Sequence, residues 1–233
     1  MRSLIVVVVL TSMMFIQGCG AIMSVRGSAF ETQITNTNPN ALPDPVKSEV
    51  FTKVQSIAIA DLTDGLTDYP KDNVLMYKAM IKELSLLLEE SEEFRVISPE
   101  EFRSALRELN GPLNPRLTTE YELDTIFQKV GKSLGAHAVV YAGLQEKGEV
   151  KSISNQLRYM GQIIKDGGIT IDLEGTLRVI RSRELETLYE QKSEVTWATG
   201  TSGLENTSAT ELRVMMRKLL KPMVDQMIEK HRG

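Results

Sequence analysis

Four carboxylates recur along one short stretch, Asp61, Asp64, Asp68 and Asp72. Clustered carboxylate oxygens are what a hard divalent cation such as calcium requires. Their spacing is not that of an EF-hand, and Gly65 and Pro70 among them suit plain turns, so a solvated loop is preferred and a cation site is the alternative. The chain has only two histidines, His137 and His231. His137 stands at the entrance of an apolar run and reads as a core or edge residue. His231 stands near the end of a terminal helix, which is expected to fray. Neither has a nucleophile signature or zinc-ligand spacing around it. Gly131-Lys132-Ser133 matches the end of a phosphate-binding loop, but the position five before Gly131 is Ile126 where a glycine is required. The segment also closes a helix instead of opening one, which presents phosphate with the wrong end of the dipole. No catalytic, cofactor-binding or metal-ligating set is therefore assigned, and an enzyme is not expected.

The remaining reactive group is the sole thiol, Cys19. It follows a basic start, Met1-Arg2-Ser3, then an apolar run of 13 residues from Leu4 to Ile16, then Gln17-Gly18. That run falls short of the roughly 20 residues a membrane-crossing helix needs, so residues 1–18 read as a signal peptide. Gly18 before Cys19 resembles the lipobox of bacterial lipoproteins, although Ile16 and Gln17 are less usual there than Leu and a small residue. The resemblance implies removal of residues 1–18 and covalent lipid on Cys19, with no other cofactor. Two or more acyl chains anchor stably where one holds only marginally. Gly20 rather than Asp after the cysteine implies, by resemblance to enterobacterial lipoproteins, the outer membrane with the domain facing the periplasm.

Without residues 1–18 the chain keeps 26 basic side chains against 31 acidic ones, a net charge near −5. A mildly acidic balance with no basic block argues against nucleic acid as a partner. With one cysteine there is no internal disulfide, so stability rests on packing.

The elements that must position these residues are legible in outline. Residues 19–53 are polar and rich in turn formers, as in Asn36-Thr37-Asn38-Pro39-Asn40, and read as a tether. At about 3.3 Å per residue, some thirty residues reach on the order of 100 Å. Residues 54–233 form the domain. Val54 to Ala60 suits a strand, and Asn73 to Glu90 a helix with Tyr77, Met80, Ile81, Leu84, Leu87 and Leu88 on one face. Phe94 to Ile97 is a short strand. Ser98-Pro99-Glu100-Glu101 and Thr119 to Glu122 are capping boxes that open two further helices, the second ending at Gly135. Ala138 to Leu144 reads as a central strand. Ile169, Ile171, Leu173, Leu177 and Val179 alternate with polar residues in a half-buried strand, and Leu185 to Trp197 returns beside it. A final helix after Ser208 is rich in methionine, which reads as core rather than a binding surface, and Pro222 is expected to kink it. The fold class is α/β (α+β): a mixed sheet of about five to six strands with helices packed on it, in the order β-α-β-α-α-β-β-β-β-α.

From about Val54 to Lys230 the chain resembles the periplasmic α/β domain shared by CsgG, LpoB and the N-terminal domain of TolB. Ser56-Ile57-Ala58-Ile59-Ala60, Phe94-Arg95-Val96-Ile97-Ser98, Gly135 to Gly143 and the paired runs Gly175 to Ile180 and Leu185 to Tyr189 carry the resemblance. It implies a non-enzymatic domain that binds another envelope protein or copies of itself, as an LpoB-like adaptor or activator in envelope assembly or regulation. No small-molecule substrate is identified. The alternative it offers is a CsgG-like secretion channel, whose subunits each lend two membrane-crossing hairpins with strands of about 9–11 residues. The first could lie only between Glu146 and Gly168, and the second has only Ala198 to Thr207 available, too short for two spanning strands. The channel is therefore ranked below the binding domain, and an envelope enzyme or metal-binding protein below both.

Overall fold

The computed structural model describes residues 49–115, 117–146, 151–159, 162–199 and 209–233. Cys19 and most of the tether lie outside them, as does the stretch after Thr199 weighed for a second hairpin. Strand β1 is Ser56–Ile59, followed by a 3-10 turn at Thr63–Gly65 and helix α1, Lys71–Ser91. Strand β2 (Arg95–Ile97) leads to helices α2 (Pro99–Leu109) and α3 (Glu120–Ser133). Strands β3 (Ala138–Glu146), β4 (Lys151–Tyr159), β5 (Gln162–Arg181) and β6 (Thr187–Thr199) follow, and helix α4 (Ala209–Arg232) closes the chain. The order expected from the sequence is thus the order observed.

The six strands form one mixed sheet. β1 lies between β2 and β3 and is parallel to both. β5 is antiparallel to its three neighbours. Its 20 residues are shared along one edge by β3, opposite Leu173 to Arg181, and β4, opposite Gln162 to Thr170. β6 takes the other edge from Ile169 to Ile180.

Helices cover both faces. A Cβ on Gly131 of α3 would meet the Val139 side chain at 2.6 Å, and one on Gly175 would meet Leu219 of α4 at 2.9 Å. Gly175 pairs with Leu144, which lies five residues beyond Val139 and so on the opposite face. Helices α1 and α4 therefore pack together on one face, and α2 and α3 on the other. This explains the glycine of Gly131-Lys132-Ser133: it lets α3 approach β3.

Local chemistry sets the helix ends. Ser98 and Thr119 each accept from the third helical N–H, while Glu101 and Glu122 reach back to the cap, so both capping boxes are formed. Gly135 takes φ of +65°, the left-handed conformation that ends α3's path cheaply. Pro222 sits inside α4, which continues to Arg232.

Two differences from the sequence reading concern the ends of the chain. The core reaches back to Phe51, which is fully buried and stacks on Phe94 and Tyr189. His231 is buried instead of frayed. Its Nε2 meets the Val54 carbonyl at 2.9 Å, its Nδ1 meets Glu93 at 3.0 Å, and its ring lies edge-on to Phe94. A helix end fastened on both ring nitrogens loses the freedom to fray.

Candidate docking surface at the open pole of the sheet

The two ends of the parallel strands differ. At one pole, where β1 begins, Phe51, Phe94, Tyr189 and His231 close the core around the incoming chain. At the other, β1 stops at Ile59 while β3 runs on to Glu146. This pole is built by the loop after β1, the start of α1, the α2–α3 connection and the end of β3.

Asp61 turns the chain away there. It is 4% exposed; its Oδ1 accepts from the Thr63 N–H at 2.8 Å and its Oδ2 lies 3.3 Å from Arg103. Asp64 pairs with Arg107, which holds its carboxyl below the usual carboxylate range. Arginines of α2 thus neutralise two of the four loop carboxylates. Asp68 is exposed, and no group of three or more potential metal-ligating side chains occurs among the described residues. Gly65 is required where it stands, because a Cβ there would lie 1.7 Å from the Leu113 carbonyl oxygen. That contact seats the α2–α3 connection against the loop.

A cavity of about 550 Å³ opens at this pole. Strand β3 contributes Tyr141, Leu144 and Gln145, and α1 contributes Asn73, Met76 and Tyr77. Leu66, Tyr69, Pro115 and Leu173 complete the described lining, which carries no charged side chain. Tyr77 Oη accepts the Leu62 N–H at 3.2 Å, and burial raises its phenol far above the ordinary range. Burial, with Tyr69 adding to it, lifts Tyr141 to about 12. Both phenols are therefore neutral hydrogen-bonding groups, not bases. Within the α2–α3 connection and on either side of it, Leu117, Leu109 and Tyr121 are 83%, 53% and 71% exposed, and Leu75 of α1 is 48% exposed.

The histidines are far from this site in role. His137 Nδ1 bonds the Ser56 hydroxyl at 2.8 Å, tying β1 to the start of β3, and His231 locks the opposite pole. Sequence reasoning missed the cavity because its lining is dispersed over five segments with no motif.

No protein-family model and no curated protein matches the chain. Solved structures resemble it in layout. The PelC dodecamer from Paraburkholderia phytofirmans is 13% identical over 82% of this chain and 96% of that one, with a TM-score of 0.37. Lipoprotein GNA1162 from Neisseria meningitidis is 14% identical over 75% and 99%, with a TM-score of 0.42. The LpoB C-terminal domain from Salmonella enterica is 12% identical over 64% and 94%, with a TM-score of 0.32.

Proposed function

We propose that the chain is a non-enzymatic, lipid-anchored protein of the bacterial outer membrane whose periplasmic domain binds another envelope protein through the surface around the α2–α3 connection, as an adaptor or activator. The observation that supports this is the exposure of Leu109 at the end of α2, Leu117 in the α2–α3 connection and Tyr121 in the first turn of α3. Large apolar side chains gathered on one surface mark a contact site, whereas single ones are unremarkable.

The test is photo-crosslinking of the full lipidated chain in living cells, with the probe at Leu117 or Tyr121 and a control at the exposed Lys53 of the entry pole. A discrete adduct with a second protein from the first two positions alone is expected. Adducts from all three alike, or from none, would sink the reading.

A second reading, the subunit of an oligomeric secretion channel, is favoured by one observation. Lys151 to Tyr159 pairs residue by residue with Gln162 to Thr170, giving a hairpin of nine-residue strands beyond the body of the sheet. That is the length a membrane-crossing strand requires. Recovery of a detergent-stable ring by native electrophoresis would favour the channel over the adaptor.

A further inference from the structure

One stripe of α1 is cationic in a chain that carries more acidic than basic side chains, 31 against 27. Lys71, Leu75, Lys78 and Lys82 fall at i, i+4, i+7 and i+11, which places them along one line of the helix about 16 Å long. Leu75 and all three lysines are exposed. Like charges four residues apart, as at Lys78 and Lys82, oppose each other on a helix. The buried and half-buried carboxylates nearby are already taken: Asp61 by Arg103, Asp64 by Arg107, and Glu83 by Arg213 and Arg217. Among the described side chains no ion pair includes any of the three lysines.

The stripe borders two adjoining hollows. One, of about 610 Å³, lies against the loop after β1, with Leu66, Val74 and Leu75 among its walls and Lys71 and Lys78 beside them. The other, of about 390 Å³, lies between α1 and the start of α2, where Arg103 joins Lys78 and Lys82, and Glu100 also lines it. Thr63 and Lys78 belong to both, so the two make one groove with an apolar end and a basic end. The groove meets the α2–α3 connection, because Gly65 of the same loop packs on the Leu113 carbonyl.

We propose that this groove takes an acidic segment of the partner protein, with an apolar side chain among Leu66, Val74 and Leu75 and carboxylates on Lys71, Lys78 and Lys82. This rests on the protein-binding reading above and names the partner's chemistry. A concave seat receives a length of chain, whereas the flat face of an anionic membrane cannot enter it. Exposed charges at such a rim speed encounter and set partner choice more than they add affinity.

The test uses the full lipidated chain in isolated envelopes and a water-soluble carbodiimide, which joins an amine to a carboxylate that touches it. Mass spectrometry should find Lys78 or Lys82 coupled to an aspartate or glutamate of the same protein that is photo-crosslinked from Leu117. Lys78→Glu with Lys82→Glu should lower the Leu117 adduct about tenfold at equal expression. Lys78→Arg with Lys82→Arg should retain that adduct, and Lys53→Glu should leave it unchanged; if the glutamate pair fails to fold, the carbodiimide result still decides. Coupling of the lysines only to their own chain, or a Leu117 adduct indifferent to charge reversal, would overturn the acidic segment and leave the protein-binding reading standing. Sedimentation of the Cys19→Ala chain with phosphatidylglycerol vesicles, abolished by the same reversal, would assign the stripe to a membrane and overturn it too. No adduct from Leu117 in the unaltered chain would remove the protein-binding reading itself, and the proposal with it.

Discussion

Glu83 and Arg217 join α1 to α4 through a buried contact, Oε1 to Nη1 at 2.7 Å, while Arg213 takes the other carboxylate oxygen at 3.0 Å. The two ends of this bridge are unequal. Glu83 is 1% exposed at its side chain, whereas Arg217 and Arg213 are 33% and 55% exposed and remain partly hydrated. Stranding the carboxylate is therefore worse than stranding the guanidinium groups. Arg213→Ala with Arg217→Ala should destabilise the domain by about 3–5 kcal/mol, the cost of a buried charge without its partner. Glu83→Leu should cost less, under about 2 kcal/mol, because both arginines can turn to water. Urea unfolding of the three proteins gives the ranking, and the reverse order would mean that Glu83 is hydrated in solution.

Gly175 and Leu219 set the distance between β5 and α4. A Cβ at Gly175 would sit 2.9 Å from Leu219 Cδ2 and Cγ, and Leu219 is fully buried with no open direction in which to move. Gly175→Ala should therefore cost about 1–3 kcal/mol by overpacking. Leu219→Ala alone should cost about 2–5 kcal/mol by leaving a cavity. Combined, the new methyl occupies space the leucine vacates, so the double variant should be more stable than the sum of the two losses predicts. A double-mutant cycle by thermal unfolding reads this coupling, and strict additivity would contradict the contact.

How much of this was legible differs by kind of interaction. Capping is local, so Ser98 with Glu101 and Thr119 with Glu122 announced α2 and α3 from spacing alone. The alternation from Ile169 to Val179 announced the inner half of β5. Its outer half contains Lys165-Asp166-Gly167-Gly168, which no propensity favours as strand, and it is strand because β4 lies paired against it. The acidic loop suggested a cation because the arginines that neutralise it, Arg103 and Arg107, come from a helix some forty residues later.

Acid should loosen the joints that tie α4 to the rest. Arg217 holds Glu90, and Arg232 with His231 holds Glu93, below the usual carboxylate range. Asp64 is held down in the same way by Arg107. Depressed folded-state values contribute stability above the unfolded value, near 4, and lose it as pH falls through the folded one. Asp124 runs the other way: burial raises it despite Arg178 at 3.0 Å, so it favours the fold less as pH rises. Glu101 and Glu122 are lowered by their hydrogen bonds to the caps, so five depressed carboxylates outnumber one raised one. Stability from urea titrations should stay level from neutral pH to about 5 and decline below about 4. Glu93→Gln should flatten part of that decline, and an unchanged profile would remove Glu93 from the account.

A lipid on Cys19, as proposed, would leave the reach of the domain to the residues between Cys19 and Phe51. The packed core begins at Phe51, whose ring meets His231 at the closed pole. With some thirty residues at about 3.3 Å each, the domain can stand on the order of 100 Å from the membrane. Cys19→Ala should release the protein into the soluble periplasmic fraction with its melting temperature unchanged, since the packed core begins at Phe51. Deleting residues 24–44 should keep the protein in the membrane fraction but shorten the reach to roughly 30 Å. If the partner lies deeper in the periplasm, crosslinks from Leu117 and Tyr121 should fall several-fold in that deletion and return when a Gly/Ser segment of equal length is inserted. Rescue by a sequence-unrelated spacer would assign the tether to reach alone, while failure of the spacer with full membrane retention would show that residues 24–44 themselves take part in binding.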